Sequence, residues 1–542
     1  MKTNRKVIFF LLLLALVCLI SIQSLTAESA APNSDTPQAT PAAAPATPEE
    51  PKDITAQVRE YNSDQFAPPP ADFRQGQVTV RQLDEKAVQK TENGYAVQLP
   101  SHAPVATPAV ADGLVFVSGG FRSKEFYAFE ARTGTLKWAV NLDDDGPSSV
   151  VVRDGVVIFN TESCTIFALD AQTGRQLWSW WLGDPLMSMP TIANGRVFSA
   201  YPATGRSGGA NQAVQMQENA ANVNSIASSP AGAKAPPPAS HALAAFDLRT
   251  GKILWQRWID ADVMSAPVAE GDELFVATFA GTIYRFRQSD GEILSARQAR
   301  ATSAPVVVHG ELYYTKRADV PGSGVAEEAT VNASKNSGQE TRQVNRKAAP
   351  YIDSAVQAKT QYKSQGISLD AANGFAGGAP AQSNAEAAYG NIGQNNVSTL
   401  QAFQGSRVLT YGDNNYNVLG DEIVCNERKT GEKRWSQPLP GNLTELGGFL
   451  GTPPVVAGGY LFIGTVNGEV LQIDPADGLQ IKAYPIGAPV RSQPVIEGGF
   501  IYVGTQDGRL VAIDTRDEKL TGWPMWGGDA AHTSYREPVA GH

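Results

Sequence analysis

Five hydroxyl side chains recur at one place in this chain. Ser188, Ser265, Ser303, Thr452 and Ser492 each stand two residues before a proline that opens an apolar run, and Arg491 adjoins the last of them. A hydroxyl both donates and accepts, and a guanidinium offers a planar fork of donors. Brought together, such groups can hold a polar ligand or a peptide backbone. They are not a catalytic set. No glycine-rich phosphate loop and no nucleophile elbow is present. His102, His241, His309, His532 and His542 lack the spacing of metal ligands. Asp143-Asp144-Asp145-Gly146 starts like a calcium loop, but the later ligands are missing, so it reads as a solvated turn. Beyond Cys18, only Cys164 and Cys425 occur. They read as buried thiols, with a disulfide between them left open.

The elements that must position these residues are repeats. Ala128–Trp138, Ala168–Trp178, Ala245–Trp255 and Cys425–Trp435 all follow small-x-acid-x-x-Thr-Gly-x-x-x-Trp, with weaker copies at Arg285–Ser295, Gln472–Lys482 and Ala512–Gly522. The acid and the Thr hydroxyl bond backbone groups within a tight turn. The Gly supplies positive φ, and the Trp packs on a neighbouring sheet. Trp138, Trp178, Trp255 and Trp435 are therefore structural docking residues. The acids of these turns, Asp170 and Asp247 among them, have a structural task too. By strand alternation one of Trp180 and Trp181 faces outward, either against a loop or toward a partner.

Turn glycines recur about every 40 residues, as from Gly134 to Gly174 and from Gly251 to Gly291. That period, with four short strands per unit, predicts an all-β fold: a β-propeller of four-stranded blades. Eight units are counted, covering 104–142, 147–183, 188–262, 264–300, 303–348, 399–440, 452–487 and 492–523. The fifth lacks the Thr-Gly-Trp signature in 328–347, and if that stretch is only a loop the count is seven. Tyr95–Pro100 resembles the outer strand that begins at Trp138, and is expected to close the ring by completing the last blade. The first strand of each blade lines the central channel, which places the hydroxyl ring and Arg491 at one mouth of it. Repeat geometry explains such a ring; a ligand or peptide site is the sharper reading.

The chain has 542 residues and a net charge of −10, scattered along its length, which argues against a nucleic-acid partner. Lys2, Arg5 and Lys6 precede the apolar run Val7–Ile20, and Ala27 ends a cleavage site. Residues 1–27 thus read as a signal peptide, with an uncleaved anchor as the alternative. Cys18 lies within the apolar run after Val17, which is unlike a lipoprotein signal. Residues 28–94 read as a Pro- and Ala-rich linker with one short segment, helical within Asp53–Phe66. Residues 95–523 form the propeller, with flexible inserts near 203–240 and 351–398, and 524–542 are a C-terminal tail. The protein is expected to be periplasmic or secreted, touching a membrane only through an uncleaved N-terminus or a partner.

The four strong copies resemble the tryptophan-docking motif of the PQQ-binding-like (quinoprotein) propeller family. Gly522–Thr533 also looks like a segment common beside such repeats. The resemblance covers about 95–536 and implies either of two activities. PQQ-dependent dehydrogenases of the family use calcium, an aspartate base and often a disulfide between adjacent cysteines; this chain has no adjacent cysteines, and neither the base nor the metal ligands fall on a matching motif. The non-catalytic, BamB-like branch consists of secreted scaffolds; this chain departs from it in lacking a lipobox and carrying two long inserts. The reading that follows is a monomeric, non-catalytic scaffold for other envelope proteins, in outer-membrane protein assembly as one role within that class, with no cofactor. The alternative is a PQQ-dependent oxidoreductase, with PQQ and calcium.

Overall fold

Short alternating runs, separated by Asp-Gly, Asn-Gly and Gly-Gly turns, have one stable arrangement available: antiparallel meanders stacked face to face. A computed structural model describes residues 50–63, 76–120, 122–161, 165–182, 189–202, 241–261, 263, 265–317, 328–345, 408–442 and 450–538. Within them lie eight sheets, each built on a four-stranded antiparallel meander, the blades of a propeller; in seven of them the four strands are consecutive. The fifth blade is complete: Glu328–Ser334 and Glu340–Asn345 form its second hairpin. The eighth borrows its outer strand from the N-terminal side. Gly94–Gln98 pairs with Arg509–Asp514, placing Tyr95 opposite Ala512, and the ring closes without a large open edge.

The repeat motif is the joint between blades. Each docking indole lies on the turn glycine of the next blade and donates its Nε1–H into that turn. Trp138 reaches the Ala171 carbonyl at 2.9 Å, Trp178 that of Leu248 at 2.9 Å, Trp255 that of Gln288 at 2.8 Å and Trp435 that of Pro475 at 3.0 Å. Tyr95 performs this at the closure, donating to the Ala131 carbonyl at 2.8 Å and covering Gly134. Where the motif has Ser295 in place of Trp, the Arg297 side chain covers Gly338 instead.

Residues ahead of Tyr95 do more than link. Lys52–Asp53 pairs with the outer strand of blade 4, Ile293–Gln298. The helix Thr55–Tyr61 follows, begun where Asp53 Oδ1 accepts the Thr55 N–H at 2.9 Å, and Asn62 bonds both backbone groups of Trp258 in blade 3. Val78–Val80 then pairs with the outer strand of blade 1, and Val88–Thr91 lies outside Gly94–Gln98. A stretch read as linker is thus, in part, a belt around the ring.

His241, on the third strand of blade 3, is fully buried, and desolvation pushes its pKa down to about 3. The unfolded imidazole titrates near 6.5, so the unfolded chain binds a proton that the fold excludes. The stabilisation is full above about pH 6.5 and is lost as pH falls toward the folded value, by about 1.4 kcal/mol per unit. In urea unfolding at pH 7 and pH 5, His241→Gln is expected to lose less stability between the two than the parent, by roughly 2 kcal/mol.

Candidate functional site

The strand-opening hydroxyls are anchored to their own blades. The Thr315 N–H donates to buried Ser303 Oγ at 3.1 Å, and the Gly464 N–H to buried Thr452 Oγ1 at 3.0 Å. Ser492 Oγ donates to the Gly504 carbonyl at 3.1 Å. In each case the partner lies twelve residues on, in the second strand of the same blade. Ser148, which no proline follows, does the same with the Asn160 N–H at 3.1 Å. The recurrence therefore has a local cause, a staple at the entrance of each inner strand. Ser265 is buried with no hydrogen-bond partner for Oγ, and Ser188 lies outside the described residues. Arg491 is half-buried, and burial holds its pKa below the usual guanidinium value. Ser303→Ala leaves the Thr315 N–H buried without an acceptor. The expected cost is about 1–3 kcal/mol of stability in urea unfolding.

The channel itself is defined by the inner strands, which neighbour one another around the ring. It is filled by the chain's own C-terminus. In five inner strands the N–H of the second residue donates to a carbonyl of the segment Trp523–Ser534. Ile496 N–H donates to Trp523 at 3.0 Å, Val110 to Pro524 at 2.7 Å, Ile192 to Ala530 at 2.7 Å, Ala269 to Ala531 at 3.0 Å and Thr410 to Ser534 at 3.0 Å. These donors belong to blades 8, 1, 3, 4 and 6. Tyr535–Arg536 then pairs parallel with Leu409–Tyr411.

Side chains complete the filling. Trp523 is fully buried, its Nε1 donating to Gln493 Oε1 at 3.3 Å and its ring 5.2 Å from the Arg536 guanidinium. Trp526 packs with Met189 and Ala266, while the Gly527 N–H reaches Gln493 Oε1 at 3.0 Å. Met189 and Ala266 stand across the ring from Gln493, so the segment spans the channel. His532 is clasped between two carbonyls, Nδ1 at 2.9 Å from Trp526 O and Nε2 at 3.0 Å from Pro190 O. Gly527 has φ 66°, and a Cβ there would meet His532 Cα at 2.7 Å. The C-terminal residues lack the period of a blade, which is why periodicity alone makes 524–542 a tail. The available signal was Trp523, Met525 and Trp526 within four positions, too much apolar surface for a solvated end.

The acids have structural partners. Asp170 Oδ1 accepts the Thr173 N–H at 2.9 Å and hydroxyl at 2.7 Å, and Asp247 Oδ1 accepts those of Thr250 at 2.8 and 2.7 Å. The Thr hydroxyl holds each carboxylate below its usual pKa. Asp144 Oδ2 accepts from Thr161 at 2.6 Å and from Thr165. Cys425 is a buried thiol pushed up to about 12 by desolvation, and Cys164 lies outside the described residues. Among the described residues, no three His, Cys, Asp or Glu side chains are grouped to hold a metal. Trp180 and Trp181 are both half-buried, and Trp180 Nε1 donates to Gly251 O at 2.6 Å. The channel is thus filled by Trp523–Ser534, and the acids Asp170 and Asp247 are engaged within their own docking turns.

A sequence model of the family described as outer membrane protein assembly factor BamB matches residues 74–319, 194–385 and 419–523. Tetrathionate hydrolase of Acidithiobacillus ferrooxidans is 27% identical over 174 residues, 32% of this chain and 32% of that protein. Quinoprotein alcohol dehydrogenase PedH of Pseudomonas putida is 30% identical over 108 residues, 17% of this chain and 18% of that protein. Outer membrane protein assembly factor BamB of Nitrosomonas eutropha is 20% identical over 222 residues, 38% of this chain and 45% of that protein. The chain thus spans less than half the length of each of these curated relatives. Among solved structures, BamB from Moraxella catarrhalis aligns at a TM-score of 0.47 and 15% identity, over 78% of this chain and 97% of that one.

Proposed function

The chain belongs to the family described as outer membrane protein assembly factor BamB, and from that premise we propose that it is a non-catalytic protein-binding scaffold of the cell envelope, serving outer-membrane protein assembly. One observation carries the reading: the channel, where a propeller would take a small ligand, is filled by Trp523–Arg536. Recognition is thereby moved to the rim and the outer edges, surfaces that suit other proteins. The basic and apolar start of the chain, Lys2 to Ile20, agrees with export to the periplasm. The partners are other envelope proteins, and the propeller acts as a monomer.

A second reading, PQQ-dependent oxidation, has the similarity to PedH in its favour. It requires a quinone seat and a calcium cage; among the described residues the channel is filled, and no three His, Cys, Asp or Glu side chains are grouped to hold a metal.

Crosslinking in intact cells with a tagged chain, followed by pull-down and mass spectrometry, tests the proposal. Reproducible recovery of the outer-membrane assembly machinery is the expected result. Its absence, with the bait itself well recovered, would remove the assembly role.

A further inference from the structure

The outer edge of the ring is covered unevenly. The N-terminal belt lies on blade 4 through Lys52–Asp53 and on blade 3 through Asn62. It reaches blade 2 where the Gly76 carbonyl accepts from Gln176 and Ser179. It continues over blade 1 through Val78–Val80 and over blade 8 through Val88–Thr91. Three of these five covers are strands added to the sheet. Blades 5, 6 and 7 have no added strand on their outer edges among the described residues.

The bare edge of blade 7 carries exposed apolar surface. Its outer strand, Gln480–Pro485, exposes Ile481 at 52%, and Leu479 just ahead of it is 58% exposed. Only two other large apolar side chains are exposed among the described residues, Val80 and Leu254, so the pair is a local feature and not the average surface. An apolar edge of this kind is a template for another strand. Lysines commonly guard such edges, but the Lys482 ammonium rests 4.5 Å from the centre of its own neighbour's ring, Tyr484. The exposed cations on this strand and on the outer strand of blade 6 that no acid of either strand opposes are Lys482 and Lys433. Arg434 instead faces Glu427 and Asp413, and Asp517 of blade 8 lies near Tyr484.

We propose that Gln480–Pro485 is a strand-addition site for a partner protein, and that the partner supplies an extended segment alternating apolar and acidic residues. This rests on the protein-binding reading above. Main-chain pairing along the free edge supplies register, Leu479 and Ile481 supply apolar contact, and the cations select acidic partners. Pro485 lacks an N–H, so pairing ends there.

The test uses the full chain and two synthetic eight-residue peptides, one alternating Val and Glu, the other Val and Lys. Amide hydrogen exchange should slow at least tenfold across 480–484 with the acidic peptide and stay unchanged with the basic one. The double substitution Leu479→Asp, Ile481→Asp changes only exposed side chains and should abolish the protection while leaving the unfolding midpoint unchanged. No protection at 480–484, or equal protection by both peptides, overturns the proposal. In cells, loss of the partner crosslinks from the folded double variant supports the site. Crosslinks retained by that variant overturn the strand site and leave the scaffold reading standing. Absence of crosslinks from the parent chain defeats both.

Discussion

Trp523→Ala is expected to destabilise the propeller by about 3–5 kcal/mol, the range for truncating a fully buried large aromatic. The residue is not at the edge of the structure, although it is nineteen positions before His542. Its ring lies against Gly528 and 5.2 Å from the Arg536 guanidinium, and its Nε1 reaches Gln493. Its own backbone pairs with Ile496 in both directions, each bond 3.0 Å. Loss of the ring leaves a cavity at the point where the segment enters the channel, and removes one of the two donors to Gln493 Oε1, the other being the Gly527 N–H. Truncation after Gly522 should cost more still, since it strips acceptors from inner-strand donors in five blades. Urea unfolding followed by tryptophan fluorescence and circular dichroism checks both, with exposed Lys519→Ala as a control within about 0.5 kcal/mol of the parent. A Trp523→Ala midpoint indistinguishable from that control would mean that the segment does not hold the ring.

The second large effect lies at a blade joint. Trp178 is buried, stacked on Phe246 with centroids 6.0 Å apart, and bonded to the Leu248 carbonyl. Trp178→Ala should cost about 3–5 kcal/mol. Gly251, beneath the ring, has φ +68°, and a Cβ there would stand 2.6 Å from the indole. Gly251→Ala alone therefore carries both a conformational cost and a clash. With Trp178 already truncated the clash is gone, leaving about 1 kcal/mol for the left-handed backbone. A double-mutant cycle should show coupling of at least about 1 kcal/mol. Strict additivity would mean that the pair does not form the joint.

Most of the ring was legible because its signal is repeated. An acid, a Thr-Gly turn and a Trp at fixed offsets describe one hairpin, and four good copies describe a ring of them. Tyr95 could be placed as the closing strand for the same reason, since the residues after it match those after Trp138. Two parts were hidden, and both lack a period. The described parts of the belt, 50–63 and 76–91, add strands of only two to four residues, too short for alternation to register. The channel segment bonds through carbonyls, and a carbonyl has no signature in the residue type that bears it. The hydroxyl ring shows the converse. Its spacing was plain, but Ser303, Thr452 and Ser492 recur because each staples an inner strand to the next one. A periodic polar residue in a repeat protein is first a property of the repeat.

A propeller whose channel is closed by its own chain has no seat for a quinone, and its binding surfaces lie outside. The decisive measurement is a titration of the purified full-length protein with PQQ in the presence of calcium, followed by quenching of tryptophan fluorescence and by calorimetry. No saturable binding is expected, in the parent chain and in Ser303→Ala alike. Stoichiometric, calcium-dependent binding of the quinone to the parent chain would contradict it, because Trp526 and His532 would then have to leave the channel they fill.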